Sequence, residues 1–157
     1  MQTISPFLWF DDQAEEAANF YVSVFPNSSV TNVSRYPEGA PRPAGTVMVV
    51  SFTLDGLELL ALNGGPAFRF TEAISLSVRA ETQDEIDELW EKLGEGGEPG
   101  QCGWLKDRYG LSWQINPPVL TEMLADRDAA KSERVMATML TMGKLDIAAL
   151  TAAYRGE

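Results

Sequence analysis

The sequence predicts an α+β fold built from two similar strand, helix, strands units and a C-terminal helical extension. Three observations indicate this fold: β-rich runs alternate with amphipathic segments, their order occurs twice, and helical spacing takes over after residue 118. With 157 residues, 45% of them apolar, the chain has the size of one domain. We therefore expect a single domain over 1–157, with its parts at about 4–64, 73–116 and 119–154.

The first unit opens with a strand and a helix. A short apolar run predicts the strand over 4–10, and helical spacing of apolar residues predicts the helix over 11–25. Asp11 or Asp12 can cap this helix with a side-chain oxygen, and Pro26 cannot continue it.

Three more strands complete the first unit. β-branched and polar residues predict a strand over 28–36, and prolines predict a loop over 37–45. Residues 46–64 hold two β-rich runs joined by Asp55-Gly56, a dipeptide that favours the positive φ angles of a type I′ turn. The last two strands should therefore form a hairpin.

The second unit repeats the order after an irregular loop over 64–70. Thr82 and Glu85 predict a capping box at the start of its helix, which should close at Gly94. The segment after Gly94 leaves little room for a full strand. The other strands are predicted at 73–80, 101–107 and 111–116.

The C-terminal residues, 119–157, have helical spacing, and Asp128 and Asp146 can cap two of the predicted helices. The helix after Asp128 carries an apolar stripe of Val135, Met136, Met139, Leu140 and Met142. We interpret the stripe as core or dimer packing, with an adaptable binding surface as the alternative.

Charge limits the partners of the protein. The 12 Lys and Arg against 23 Asp and Glu give a formal charge of −11, which repels phosphate backbones and anionic lipid. We therefore expect neither nucleic acid nor membrane as a partner. The sequence shows no apolar stretch of about 20 residues and no secretory signal, so a cytoplasmic location is expected.

The chain contains no histidine and one cysteine. The common zinc, copper and non-haem iron ligand sets cannot be assembled from such a sequence, and neither can a Ser-His-Asp or Cys-His apparatus. Carboxylate, amide and carbonyl oxygens could still hold a hard cation. We predict no cofactor, and a divalent metal stays possible but disfavoured.

Four ordered segments resemble a known family: FLWFDDQAEEAANFYVSVFPNS, LALNGGPAFRFTEAIS, CGWLKDRYGLSWQINP and MGKLDIAALTAAY. They are similar to the PhnB-like branch of the vicinal oxygen chelate superfamily, the group of glyoxalase and bleomycin-resistance proteins. Members of this branch are often described as 3-demethylubiquinone-9 3-methyltransferase-like. The resemblance implies paired βαβββ modules around a cup-shaped site, usually in a homodimer.

The superfamily resemblance also implies a divalent metal in the cup, bound by His and by Glu or Gln. Gln114 falls where metal-binding relatives carry a terminal Glu ligand. The other ligand positions fall at residues that cannot replace a histidine, namely Ser5 or Pro6 and Ile74 or Ser75.

Gln114 is the first candidate ligand-binding residue. Strand alternation places it on one face with Ser112 and Asn116, and this polar face could line the cup. A neutral amide donates and accepts hydrogen bonds but holds a metal poorly on its own. The alternatives are a structural hydrogen bond, contact with water, or metal binding.

Five further residues complete the candidate ligand-binding set: Trp9, Asn63, Phe68, Cys102 and Trp104. Asn63 precedes a flexible Gly-Gly-Pro segment and could instead cap the turn. Trp9 and Phe68 could supply an aromatic wall or belong to the core. Cys102 and Trp104 are expected to share a strand face, with a buried and inert thiol as the alternative for Cys102.

Two carboxylates are candidates for acid-base chemistry. Glu72 precedes the first strand of the second unit, beside the irregular loop, and is the weak catalytic candidate. Glu58 alternates with Leu57 and Leu59, so we expect it to face solvent.

These observations favour a small-molecule binding protein with a cup-shaped site that lacks histidine, and a homodimer. The alternative is an enzyme of the same superfamily, for example a metal-dependent lyase, isomerase or dioxygenase-like protein. Methyl transfer on a Rossmann-type fold needs a Gly-rich turn after the first strand, and this sequence has none there.

Overall fold

The computed structural model of the chain describes residues 2–157. The described residues divide into two compact units between Phe70 and Thr71. Each unit has a four-stranded mixed sheet with helices, so the predicted α+β fold with paired modules and a C-terminal helical extension is confirmed. The expectation of a single domain stays a prediction.

The first unit has one helix and four strands with the order β1-β4-β3-β2. β1 is parallel to β4, and the other pairs are antiparallel. The elements are β1 (Phe7–Phe10), α1 (Ala14–Val24), β2 (Ser29–Arg35), β3 (Val47–Leu54) and β4 (Leu57–Asn63). The predicted hairpin is confirmed, because Asp55 and Gly56 between β3 and β4 have φ angles of 46° and 84°.

The start of α1 differs from the sequence prediction. The N-cap position is Gln13, without a side-chain hydrogen bond, so the capping role of Asp11 or Asp12 is wrong. Asn63 Oδ1 instead accepts from the Ala14 backbone N–H at 2.8 Å. The parallel register brings Asn63 beside the end of β1, where it reaches the first turn of the helix.

The second unit repeats the topology, with the sheet order β5-β8-β7-β6 and β5 parallel to β8. β6 has only two residues, as the short segment after α2 indicated. The elements are β5 (Ser75–Arg79), α2 (Gln83–Gly94), β6 (Glu98–Pro99), β7 (Trp104–Lys106), β8 (Ser112–Asn116), α3 (Pro118–Leu124), α4 (Ala129–Met139) and α5 (Ile147–Arg155).

Three predicted caps of the second unit are confirmed. Thr82 accepts from Glu85 N at 3.2 Å, and the Glu85 carboxylate accepts from Glu81 N at 2.8 Å. Asp128 and Asp146 accept from backbone N–H groups at the starts of α4 and α5. These bonds satisfy donors that the first turn of each helix leaves unpaired.

The C-terminal extension, 118–155, has its own apolar core. Buried members are Leu120, Met123, Val135, Leu145 and Leu150, with Met139 and Met142 packed against them. Met136 and Leu140 of the predicted stripe are 41% and 60% exposed. The stripe therefore divides into a packed part and an exposed part.

A tight turn joins the sheet of the second unit to the extension. Trp104 N donates to Gln101 O at 3.0 Å, and the central residues Cys102 and Gly103 have φ angles of 58° and 83°. Their two N–H groups donate to Met142 O and Gly143 O, each at 2.8 Å. The predicted strand over 101–107 therefore begins only at Trp104.

No helix within residues 2–157 is both long and apolar enough to cross a bilayer.

Candidate functional site

A row of polar side chains lies along one face of the sheet in the second unit. Trp113 and Ile115 of β8 are buried, whereas Gln114 and Asn116 on the predicted polar face are half-buried. Ser112, the third residue of that face, is buried and does not line the cavity described below. The strand register places Gln114 beside Ser77 of β5 and Trp104 of β7. The predicted face of β8 is therefore the one that carries the site.

Gln114 is the centre of an uncharged hydrogen-bond network. Its Nε2 donates to Ser75 Oγ at 2.9 Å, and its Oε1 accepts from Asn116 Nδ2 at 3.4 Å. Asn116 Nδ2 also lies 3.3 Å from Ser77 Oγ. The second N–H of Gln114 and the Oδ1 of Asn116 have no hydrogen-bond partner within residues 2–157. The pair can offer a donor and an acceptor without formal charge.

A cavity of about 600 Å³ lies over this polar row. The strand side contributes Ser77, Trp104, Gln114 and Asn116. Apolar side chains of the C-terminal extension contribute Leu120, Leu124 and Met139. Its size is within the range of about 300–1,000 Å³ that is typical of small-molecule sites.

Cys102 and Trp104, two of the candidate ligand-binding residues, both line the cavity. Cys102 lies in the turn before β7, however, so the prediction that it shares a strand face with Trp104 is wrong. The thiol is half-buried, and its Sγ donates to Met139 O at 3.6 Å. This contact holds the thiol against the extension.

The candidates of the first unit form a separate group. Trp9 Nε1 donates to Gly65 O at 2.9 Å, and its ring contacts the Phe68 ring edge-on at 4.9 Å. A Cβ at Gly64 would lie 2.4 Å from the Trp9 ring, so only glycine fits there. The aromatic pair holds the loop after β4. A ligand role for Trp9 and Phe68 stays a prediction.

Asn63 is 8% exposed and uses both ends of its amide within the first unit. Its Oδ1 caps α1, and its Nδ2 donates to Val47 O at 3.2 Å. Asn63 therefore acts as a cap, which was the alternative to a ligand role. It caps the first turn of α1, however, and not the turn that follows β4. A ligand role for Asn63 stays a prediction.

Glu72 forms an ion pair with Lys106. The hydrogen bond from this ammonium group lowers the pKa of Glu72, and the same contact raises the pKa of Lys106. A lower pKa makes a carboxylate a weaker base, so the pairing does not favour proton abstraction by Glu72. The catalytic role of Glu72 stays a prediction.

The residues at the superfamily's ligand positions do not fit a divalent metal. Gln114 is surrounded by serine and asparagine groups, Ser5 Oγ lies 3.4 Å from a Glu58 carboxylate oxygen, and Ile74 offers only hydrocarbon. Within residues 2–157, no group of three or more His, Cys, Asp or Glu side chains could hold an ion. Neutral hydroxyl and amide donors make a poor site for the metals that such proteins use.

The apolar residues that line the cavity were not among the predicted site residues. Leu120 and Leu124 belong to α3, which follows β8 after a single residue, Pro117. Such a short connection keeps α3 near the end of β8, and this signal could have pointed to the wall. Met139 was identified only as part of the methionine stripe.

The paired four-stranded sheets have the fold of the vicinal oxygen chelate superfamily that the sequence resembles. The chain belongs to the family described as 3-demethylubiquinone-9 3-methyltransferase, whose model matches residues 2–116. No curated protein gives a significant sequence match.

Solved structures agree with this assignment. A PhnB protein from Bacillus cereus is 41% identical, with a TM-score of 0.68, and the match covers 74% of this chain and 99% of that chain. Protein PA1353 from Pseudomonas aeruginosa is 22% identical, with a TM-score of 0.61 and coverage of 74% and 98%. The fosfomycin resistance protein FosX from Listeria monocytogenes, complexed with Mn(II) and sulfate, is 17% identical, with a TM-score of 0.56 and coverage of 79% and 99%. The last two show the shared fold alone.

Proposed function

We propose that the protein binds an uncharged small organic molecule in the cavity of the second unit, without a metal. The observation that carries the proposal is the Gln114 and Asn116 pair, which keeps one donor and one acceptor for a guest at the wall of a cavity of about 600 Å³. The apolar side chains of Leu120, Leu124 and Met139, which line the same cavity, can bury the rest of such a molecule.

Charge supports a neutral ligand. The polar row has no ionised member. Two charged side chains line the cavity: Arg79, whose Nε lies 3.3 Å from Glu81 Oε1, and Glu122, an exposed carboxylate that repels anions. The formal charge of −11 on the whole chain also repels anions. A neutral molecule with its own hydrogen-bond donor and acceptor therefore loses less hydration free energy on binding here than an ion would.

The family description names a methyltransferase, but we do not propose methyl transfer. Each sheet has a single parallel pair, unlike the parallel, doubly wound sheet of a Rossmann-type protein. β1 is followed by Asp11 and Asp12 rather than by a Gly-rich turn.

The proposal is tested by a thermal-shift screen of small aromatic and 1,2-dioxygenated compounds, with and without added metal. For a compound that stabilises the wild type, Gln114→Ala should weaken binding by about tenfold because one hydrogen bond to the ligand is lost. The melting temperature without ligand should change little, because the side chain is only half-buried.

Gln101→Ala is the matched control, because Gln101 is exposed and does not line the cavity. Equal affinity in the wild type and in Gln114→Ala would contradict the proposal. Stoichiometric Mn, Ni, Zn or Fe in the purified protein would also contradict it and favour the superfamily enzyme.

A further inference from the structure

We propose that the C-terminal extension decides which ligand the cavity accepts, with Leu124 and Met139 as specificity-determining residues for an uncharged aromatic carboxamide. This inference rests on the proposed function and adds the ligand class and the residues that select it.

The two walls of the cavity differ in chemistry. Gln114 and Asn116 present amide groups from β8, whereas Leu120, Leu124 and Met139 present hydrocarbon and a thioether from α3 and α4. The polar lining residues of α3, Thr121 and Glu122, are exposed. A ligand that satisfies both walls has an apolar body and a polar end. The donor and acceptor that remain on the amide pair match those of a carboxamide.

An aromatic body is favoured over an aliphatic chain. Trp104 and Met139 both line the cavity. Indole rings stack on aromatic rings, and thioethers make favourable contacts with ring edges. A planar ring in contact with both side chains uses both properties.

The extension is fixed to the rest of the second unit, so its wall has a defined position. The turn amides of Cys102 and Gly103 donate to the connection between α4 and α5. The Gln83 side chain also donates to Leu145 O at 3.0 Å and accepts from Ile147 N at 2.8 Å. A wall that is fixed by such bonds can discriminate by shape.

The extension is also a feature that the family match does not include. That match ends at residue 116, and α3 begins at Pro118. The PhnB protein of Bacillus cereus is covered over 99% of its length by only 74% of this chain. A relative can therefore share the polar row without sharing the apolar wall.

The experiment uses two named probes, benzamide and 2-naphthamide, titrated into full-length protein and followed by NMR chemical shifts. Met139→Ala removes most of one wall side chain and should improve the affinity for 2-naphthamide relative to benzamide by about tenfold. Met136→Ala is the matched control on the same helix, because Met136 is 41% exposed and does not line the cavity. It should leave the ratio unchanged.

A second variant covers the case in which Met139→Ala fails to fold. Leu124→Phe narrows the cavity and should lower the affinity for 2-naphthamide relative to benzamide. Circular dichroism melting curves check that each variant is folded.

The outcomes separate this inference from the proposed function. If the probes bind, and Gln114→Ala weakens them but neither wall variant changes the ratio, the inference is overturned and the proposed function stands. If benzoate binds more tightly than benzamide, the carboxamide class is overturned. If the wild type binds neither amide but does bind a compound from the screen, the ligand class is again overturned.

Discussion

At the scale of single residues, Asn63 shows how one amide can connect several elements. Its side chain joins α1 to the start of β3, and its carbonyl oxygen accepts from the Tyr36 hydroxyl at 2.6 Å. It is one of the few polar residues that are buried. A buried amide with satisfied ends contributes to stability mainly through the cost of leaving its partners unpaired.

We expect Asn63→Ala to lower the free energy of unfolding by about 1–3 kcal/mol, because the Ala14 N–H and the Val47 carbonyl group lose their partners. Asn63→Asp keeps the acceptor for the Ala14 N–H but sets a carboxylate oxygen against the Val47 carbonyl oxygen, so it should also destabilise the protein. Asn32→Ala is the control, because Asn32 is exposed. Urea unfolding curves measure the differences, and equal losses at positions 63 and 32 would contradict the structural role.

The role of Gln114 was easier to predict from the sequence than the role of Asn63. The face of Gln114 follows from alternation along one strand, a local property that the sequence carries. The partner of Asn63 lies 49 residues away along the chain and depends on the register between β1 and β4. That register is set by the tertiary fold, so the sequence suggested a local cap by Asp11 or Asp12 instead.

At the scale of elements, two turns of similar geometry illustrate what sequence can predict. Asp55-Gly56 was recognised because aspartate tolerates a positive φ. Cys102-Gly103 has similar angles, but cysteine is not a usual residue in this region, and the turn was interpreted as part of a strand. The turn is stabilised by the hydrogen bonds that the N–H groups of Cys102 and Gly103 donate to the extension, and these contacts cannot be read from the local sequence.

The extension contains a pH-dependent contact between α5 and the segment before α4. The Tyr154 hydroxyl donates to the Asp126 carboxylate, which lowers the pKa of Asp126 and raises the pKa of Tyr154. Because the pKa of Asp126 is lower in the folded than in the unfolded protein, the contact stabilises the fold at pH values above the unfolded pKa of about 3.9. This stability is lost as the pH falls through the pKa of the folded protein. A raised tyrosine pKa stabilises the fold below about 10, and this stability is lost as the pH rises.

We therefore expect Tyr154→Phe to be modestly less stable than the wild type near neutral pH, with a difference that disappears in acid. Tyr36→Phe is the control, because its hydroxyl donates to a backbone carbonyl that does not titrate. Chemical unfolding at a series of pH values measures both variants. A difference for Tyr154→Phe that stays constant into acid would contradict the assignment.

At the scale of the whole molecule, the duplication was readable from sequence because each segment carries its own periodicity. The matching sheet orders β1-β4-β3-β2 and β5-β8-β7-β6 confirm it. The cavity was only partly predictable. Its polar wall belongs to the repeat, whereas its apolar wall comes from helices whose packing direction is not encoded in spacing.

We expect a homodimer at micromolar concentration, because Met136 of α4 and Leu140, which follows the helix, form an exposed apolar part of the stripe. Leu140→Glu places a charge on this part and should shift the mass towards the monomer. Ile4→Glu is the control, because Ile4 is 85% exposed and lies in the first unit. Light scattering after size exclusion gives the masses, and a monomeric wild type would contradict the expectation.

The contacts of Gln83 have a consequence for synthesis. Its side chain forms hydrogen bonds with Leu145 and Ile147, which are synthesised 62 and 64 residues later. All residues of the first unit, in contrast, have been synthesised once Phe70 is added. Because a nascent chain emerges from the ribosome N-terminus first, the first sheet can form while the second still lacks its partners. In a chain arrested before Met142, the first unit could therefore be folded while the second unit lacks its contacts with residues 142–147 and is accessible to chaperones.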